Sequence, residues 1–273
     1  MNKVKTLSYW IIFIIYEEII FSTFVFGKFP SYILWIVLLS TPFAIFLDML
    51  TSISKRKAIN TTLTYIFSII ICFVVGAQLI YYKIYGAIIS AFSIMNGGQV
   101  TQFIDTIIQK MGENWISITL IIVPLIVLTI LTIAKVLKFE RVKLKALLIE
   151  AASLLAITIA GLLCINFINT EGIYSNKNLY YNVHSPKITA NRMGLFTSMK
   201  LDFKRFIFGF EERDILEVSA IPEDAIKKEK SYNIIEINFD ELIANETDEE
   251  VKTMHEYFAN QIPSENVLGK VAR

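Results

Sequence analysis

Histidine and cysteine are scarce, two of each in 273 residues, and that scarcity excludes whole classes of chemistry. Cys72 and Cys164 both fall inside apolar runs, so the polar C-terminal region has no disulfide framework and no thiolate metal site. His184 and His255 stand far apart without zinc-type spacing and read as surface or partner-contact residues. Gly-rich phosphate loops, Walker patterns and dinucleotide fingerprints are missing. The formal net charge is only +1, which gives no support to nucleic-acid binding, since that needs a concentrated basic face.

What the chain has in quantity is apolar residues, 54% of the total. Crossing about 30 Å of hydrocarbon takes about 20 of them in a helix, because only a helix satisfies its own backbone polar groups in lipid. Five segments qualify: Ser8 to Phe26, Tyr32 to Leu50, Leu63 to Tyr82, Trp115 to Ala134 and Ala146 to Ile168. None of them contains Lys or Arg. The expected fold class is an all-α polytopic membrane protein of five transmembrane helices, followed by an extracellular amphipathic linker helix and a short α/β tail. The apolar run after Leu7 is too long for a signal peptide and reads as retained.

Lysines and arginines in short loops stay on the cytoplasmic side. One set of connections carries Lys3, Lys5, Lys55, Arg56, Lys57, Lys135, Lys138, Arg141, Lys143 and Lys145, while the opposite set carries Lys28, Lys83 and Lys110. The N-terminus is therefore expected inside the cell, and everything after Ile168 outside. In the second outer connection, Val100, Phe103, Ile107 and Met111 recur at helical spacing, as in a helix lying in the membrane interface.

Residues 1–168 thus form a membrane domain and 169–230 an extracellular linker, irregular at first. The linker carries an amphipathic helix, NRMGLFTSMKLDFKRFIFGF, whose Lys200, Lys204 and Arg205 are expected to contact the membrane surface. Residues 231–273 begin a further extracellular region. There Tyr232 to Phe239 alternates like a strand, and Thr247-Asp248-Glu249-Glu250 is a capping box opening a helix with Val251, Met254 and Phe258 on its apolar stripe. Asp240 and Glu241 could be imagined as metal ligands, but a solvated acidic pair is the plainer reading. Asn245-Glu246-Thr247 matches a glycosylation sequon, with Thr247 better used as a cap.

Inside the membrane, Glu17 and Glu18 are the one adjacent ionisable pair. A carboxylate at that depth must be protonated, paired or turned to water, so either a functional role or a helix-packing hydrogen bond accounts for it. The two point about 100° apart, so at most one faces lipid. Asp48 and Glu150 lie near span ends, within expected reach of water.

The order of these features resembles the membrane-embedded N-terminal half of lipoteichoic acid synthase-like proteins, phosphoglycerol transferases of the alkaline phosphatase and sulfatase superfamily. The five-span layout carries the resemblance, with YYKIYG from Tyr81 leading to Gly97-Gly98-Gln99-Val100, the NRMGLFTSMKLDFKRFIFGF helix, and YNIIEINFD from Tyr232 continuing to ETDEEVKTMHEYFANQIPSE. It implies a catalytic Thr and a divalent metal, usually manganese, in a large extracellular domain just beyond this segment. No residue matches those positions, so the expectation is a non-catalytic anchor, inactive alone, from a truncated product, a frameshifted gene or a split gene. Implied partners are the lipid bilayer and phosphatidylglycerol or lipoteichoic acid precursors. A stand-alone membrane interaction or regulatory protein is the alternative, and a small transporter, favoured only by Glu17 and Glu18, ranks below it.

Overall fold

In the computed structural model the described residues are 4–91, 104–139, 143–168, 170–209, 243–244 and 251–254. They fall into two units, Met1–Val218 and Ser219–Arg273. In the second unit, residues 251–254 are helical, within the helix expected after the Thr247 capping box, whereas the strand expected over 232–239 lies outside the described residues.

Five helices of the first unit are long and apolar enough to cross a membrane. They are α1 (Thr6–Phe26), α2 (Ile33–Thr51), α3 (Lys57–Tyr85), α5 (Trp115–Ile133) and α6 (Leu144–Phe167). Each lies within a few residues of the span read from the sequence except at the start of α3. That helix begins six residues earlier, through Asn60, Thr61 and Thr62, which an apolar window leaves out. Between α3 and α5 lies α4 (Ile104–Glu113), with no buried residue. It covers the second part of the interface helix expected over Val100 to Met111; residues 100–103 are outside the described set.

Helices α1, α3 and α6 finish at one end of the bundle, the tail end, where Lys83 Nζ donates to the Phe24 carbonyl at 2.8 Å. Two short strands mark the other end. There β1 (Val4–Lys5) pairs in parallel with β2 (Leu137–Lys138). Asn60 Nδ2 donates to the carbonyls of Ser54 at 3.0 Å and Phe139 at 3.3 Å. The N-terminal segment, the α2–α3 turn and the start of the α5–α6 connection therefore share one end, as the distribution of cations anticipates.

Lipid offers no hydrophobic drive for helix association, so close packing and hydrogen bonds must hold the bundle. Trp10 Nε1 donates to Thr51 Oγ1 at 3.1 Å, and the Tyr9 and Ser68 hydroxyls meet at 3.0 Å. Gly161 lets α6 close on α2, since a Cβ there would stand 2.9 Å from Leu39 Cδ2. Outward, Ile12, Phe73, Ile130 and Leu155 are exposed, which suits contact with a bilayer.

After α6 the chain differs from the irregular segment its asparagines suggest. It forms α7 (Asn176–Tyr181), whose first turn is capped by Ser175 Oγ accepting from the Asn178 amide at 3.2 Å. Then come α8 (Pro186–Met193) and α9 (Leu195–Phe208). The single amphipathic helix expected over 191–210 is thus two helices broken at Gly194, which has φ +92° and ψ 158°. That conformation is open essentially to glycine alone.

Candidate functional site

The break at Gly194 sits against the intramembrane carboxylate pair. Glu18 Oε2 accepts the Leu195 amide at 2.6 Å, and Oε1 accepts the Phe196 amide at 3.0 Å and the Ser40 hydroxyl at 2.8 Å. The first amides of a helix have no partner within it, and they carry the positive end of its dipole. A carboxylate from α1 supplies both needs for α9. All three contacts are of the kind a carboxylate oxygen accepts.

Depth makes this geometry consequential. Glu18 lies eight residues before α1 ends at Phe26, about 12 Å along the axis. Ser40 lies seven residues into α2 from Ile33, about 10 Å along. Measured on either helix, the α8–α9 break dips well below the tail end. Irregular backbone at such depth is tolerated only where protein satisfies its polar groups, and Glu18 does so. Of the two roles left open for the pair, Glu18 takes the packing one, and neither member faces lipid: Glu17 is 0% and Glu18 1% exposed. Glu17 Oε1 receives only the Cys72 thiol, at 3.8 Å, and Oε2 has no partner among the described residues. Asp48, expected within reach of water, is also buried, at 1% exposure.

Helix α9 buries Leu195, Ser198, Leu201, Asp202 and Arg205, positions three and four apart. Arg205 is a correction to the expected surface triad. Its guanidinium turns inward and donates to the carbonyls of Leu179 at 2.9 Å and Tyr180 at 3.3 Å, closing the C-terminal turn of α7. Lys200 and Lys204 do keep exposed flanks. Desolvation holds the Lys200 ammonium below the usual lysine range, with repulsion from Lys204 a smaller cause. Replacing Arg205 with methionine keeps the apolar stem and strands the buried Leu179 carbonyl and the half-buried Tyr180 carbonyl. It should cost about 1.5–3 kcal/mol, seen as faster hydrogen exchange in residues 176–208 with α1 to α3 unchanged.

His184, expected at a surface or partner contact, is part-exposed and meets Asp202: Nε2 lies 2.9 Å from Oδ1. Asp202 Oδ2 accepts the Ala91 amide. Gln78 completes the fastening of that segment, accepting the Ile89 amide at 2.9 Å and donating to its carbonyl at 3.1 Å. Sequence reasoning missed Gly194, Ser40 and Asp202 as members of one arrangement, because nothing in their spacing links them to Glu18 or His184.

Among the described residues, no three His, Cys, Asp or Glu side chains converge to hold a metal ion. The manganese that the resemblance implies would be held outside these residues. Asp240 and Glu241 lie outside the described residues. No family model, curated protein or solved structure matches the chain.

Proposed function

We propose that the chain is the membrane anchor of a lipoteichoic acid synthase-like phosphoglycerol transferase, positioning a catalytic domain without performing the reaction itself. The observation that carries this reading is the docking of α9 on Glu18. A flexible linker would leave whatever follows residue 209 free to wander. Here the exit is tied to α1 through the buried Leu195 and Phe196 amides that Glu18 accepts, and to α7 through the Arg205 guanidinium, as an anchor that sets the height of a domain over a membrane requires.

In this reading the five helices lie in the cell membrane, the N-terminus and the basic connections face the cytoplasm, and α7 to α9 lie at the outer face. Support for the orientation comes from the gathering of cation-bearing connections at one end. Lys200 and Lys204, with the exposed Phe203, Ile207 and Phe208, suit a helix flank resting among outer-leaflet headgroups. Phosphatidylglycerol is the donor lipid the reading implies, and lipoteichoic acid precursors are the acceptors.

Expressed alone in membranes, the 273-residue chain should transfer no glycerol phosphate from labelled phosphatidylglycerol. Transfer should appear when it is joined to a sulfatase-like domain of the family. Activity from the chain alone would overturn the anchor reading, and inactivity of the joined protein would favour a regulatory role.

A further inference from the structure

A cavity of about 570 Å³ lies between α2, α6 and α9, within the roughly 300–1,000 Å³ usual for ligand sites. Its two ends differ in chemistry. Phe46 and Leu154 line one end. Each lies thirteen residues from the tail end of its helix, about 20 Å along the axis. Gln78, Asp202 and Lys200 line the other end, with Gln78 seven residues from the end of α3, about 10 Å along. The deepest groups of the lining are thus apolar and its charged groups lie shallow, the order in which a phospholipid presents its tail and head. Phe46 and Phe203 flank the opening and are 47% and 59% exposed. With α2 crossing a bilayer, the side of Phe46 is reached from lipid.

Most of the polar lining is already engaged. Asp202 binds His184 and the Ala91 amide, and Gln78 binds Ile89 through both its oxygen and its nitrogen. Lys200 is the cation in the lining, and it forms no salt bridge among the described residues. Its ammonium lies 6.0 Å from the Tyr180 ring, and Lys204 follows one turn later on the same helix. Lys200 and Lys204 together outweigh the Asp202 carboxylate, whose two oxygens are already engaged, so a phosphodiester without a compensating headgroup cation complements this end.

We propose that the membrane domain holds one anionic phospholipid in this cavity, with an acyl chain between Phe46 and Leu154 and its phosphate at Lys200. The site requires only that the helices span a bilayer, and it stands whether or not the chain serves a transferase.

The test is native mass spectrometry of the full chain taken from vesicles of equal phosphatidylglycerol and phosphatidylcholine. One phospholipid should remain bound per chain, with phosphatidylglycerol favoured roughly five-fold. Lys200→Gln should keep the lipid and lose that preference. Thr158→Trp, which fills the cavity from α6, should lose the lipid, while Leu148→Trp on the exposed face of α6 should keep it. Bound lipid that simply mirrors the vesicle composition in the unaltered chain would overturn the proposal, as would full retention by Thr158→Trp. A photoreactive acyl chain tests the same site without substitution. Crosslinks should concentrate at Phe46 and Leu154, and an even spread over the exposed Leu148 and Ile159 would count against it.

Discussion

Glu18→Ala should release the start of α9 from the membrane domain and produce one of the largest losses of stability available to a single substitution in this protein. The carboxylate accepts two backbone amides and the Ser40 hydroxyl, and alanine leaves all three buried donors with nothing to meet. Each such donor costs about 1–3 kcal/mol, so a loss of about 3–5 kcal/mol is expected after partial relaxation. Thermal unfolding in a detergent micelle measures the total. Hydrogen exchange locates it: the amides of residues 195–208 should lose protection while those of α5 keep theirs. Glu18→Gln should fall between alanine and glutamate, because the amide keeps one acceptor oxygen but aims an NH₂ at a donor. An alanine variant with unchanged exchange in α9 would show that the carboxylate does not hold this helix.

Gly194→Ala should be comparably severe, for two separable reasons. At φ +92° and ψ 158° the backbone occupies a region essentially restricted to glycine, worth about 1–3 kcal/mol against any other residue. The added methyl would also stand 2.5 Å from Glu18 Oε1 and 2.8 Å from its Cδ. The carboxylate is flexible enough to swing aside, but moving it gives up the two amide hydrogen bonds. The clash and the backbone strain predict different behaviour in a double variant. With Glu18 already alanine the clash is gone and the hydrogen bonds are already lost. The combined loss should therefore fall short of the sum of the single losses by about 1–3 kcal/mol. Additive losses would mean that the two positions do not meet.

These substitutions mark where sequence reasoning reaches its limit. The helix from Trp115 to Ile133 is legible because each apolar residue adds to a property of the segment alone. Polar residues behave otherwise, since the value of a buried donor or acceptor depends on what stands opposite it. Glu18 announces itself as an anomaly in an apolar run, yet its partners at Leu195 and Phe196 are 177 and 178 positions away. Arg205 looks like its neighbour Lys204, and only the position of α7 turns its guanidinium inward. In α9, Asp202 and Arg205 are buried beside Leu195 and Leu201, whereas Phe203, Ile207 and Phe208 are exposed, which a helix docked in water would avoid. The pattern is intelligible once the surroundings of that helix are taken to be lipid and a bundle already rich in hydrogen-bonding groups.

The sequence by itself determined the number of helices long and apolar enough to cross a membrane, nearly all of their boundaries, and which connections carry the cations. Those are properties of transfer between water and lipid, additive along a segment and blind to the rest of the chain. Tertiary structure alone decided that the juxtamembrane segment breaks at Gly194 and dips among α1 and α2. It likewise assigned Glu18 to close that break, turned Arg205 inward, and left a cavity between α2, α6 and α9. Each of these depends on distances between residues remote in sequence, and a hydrogen bond has no strength until the fold has brought its two ends together.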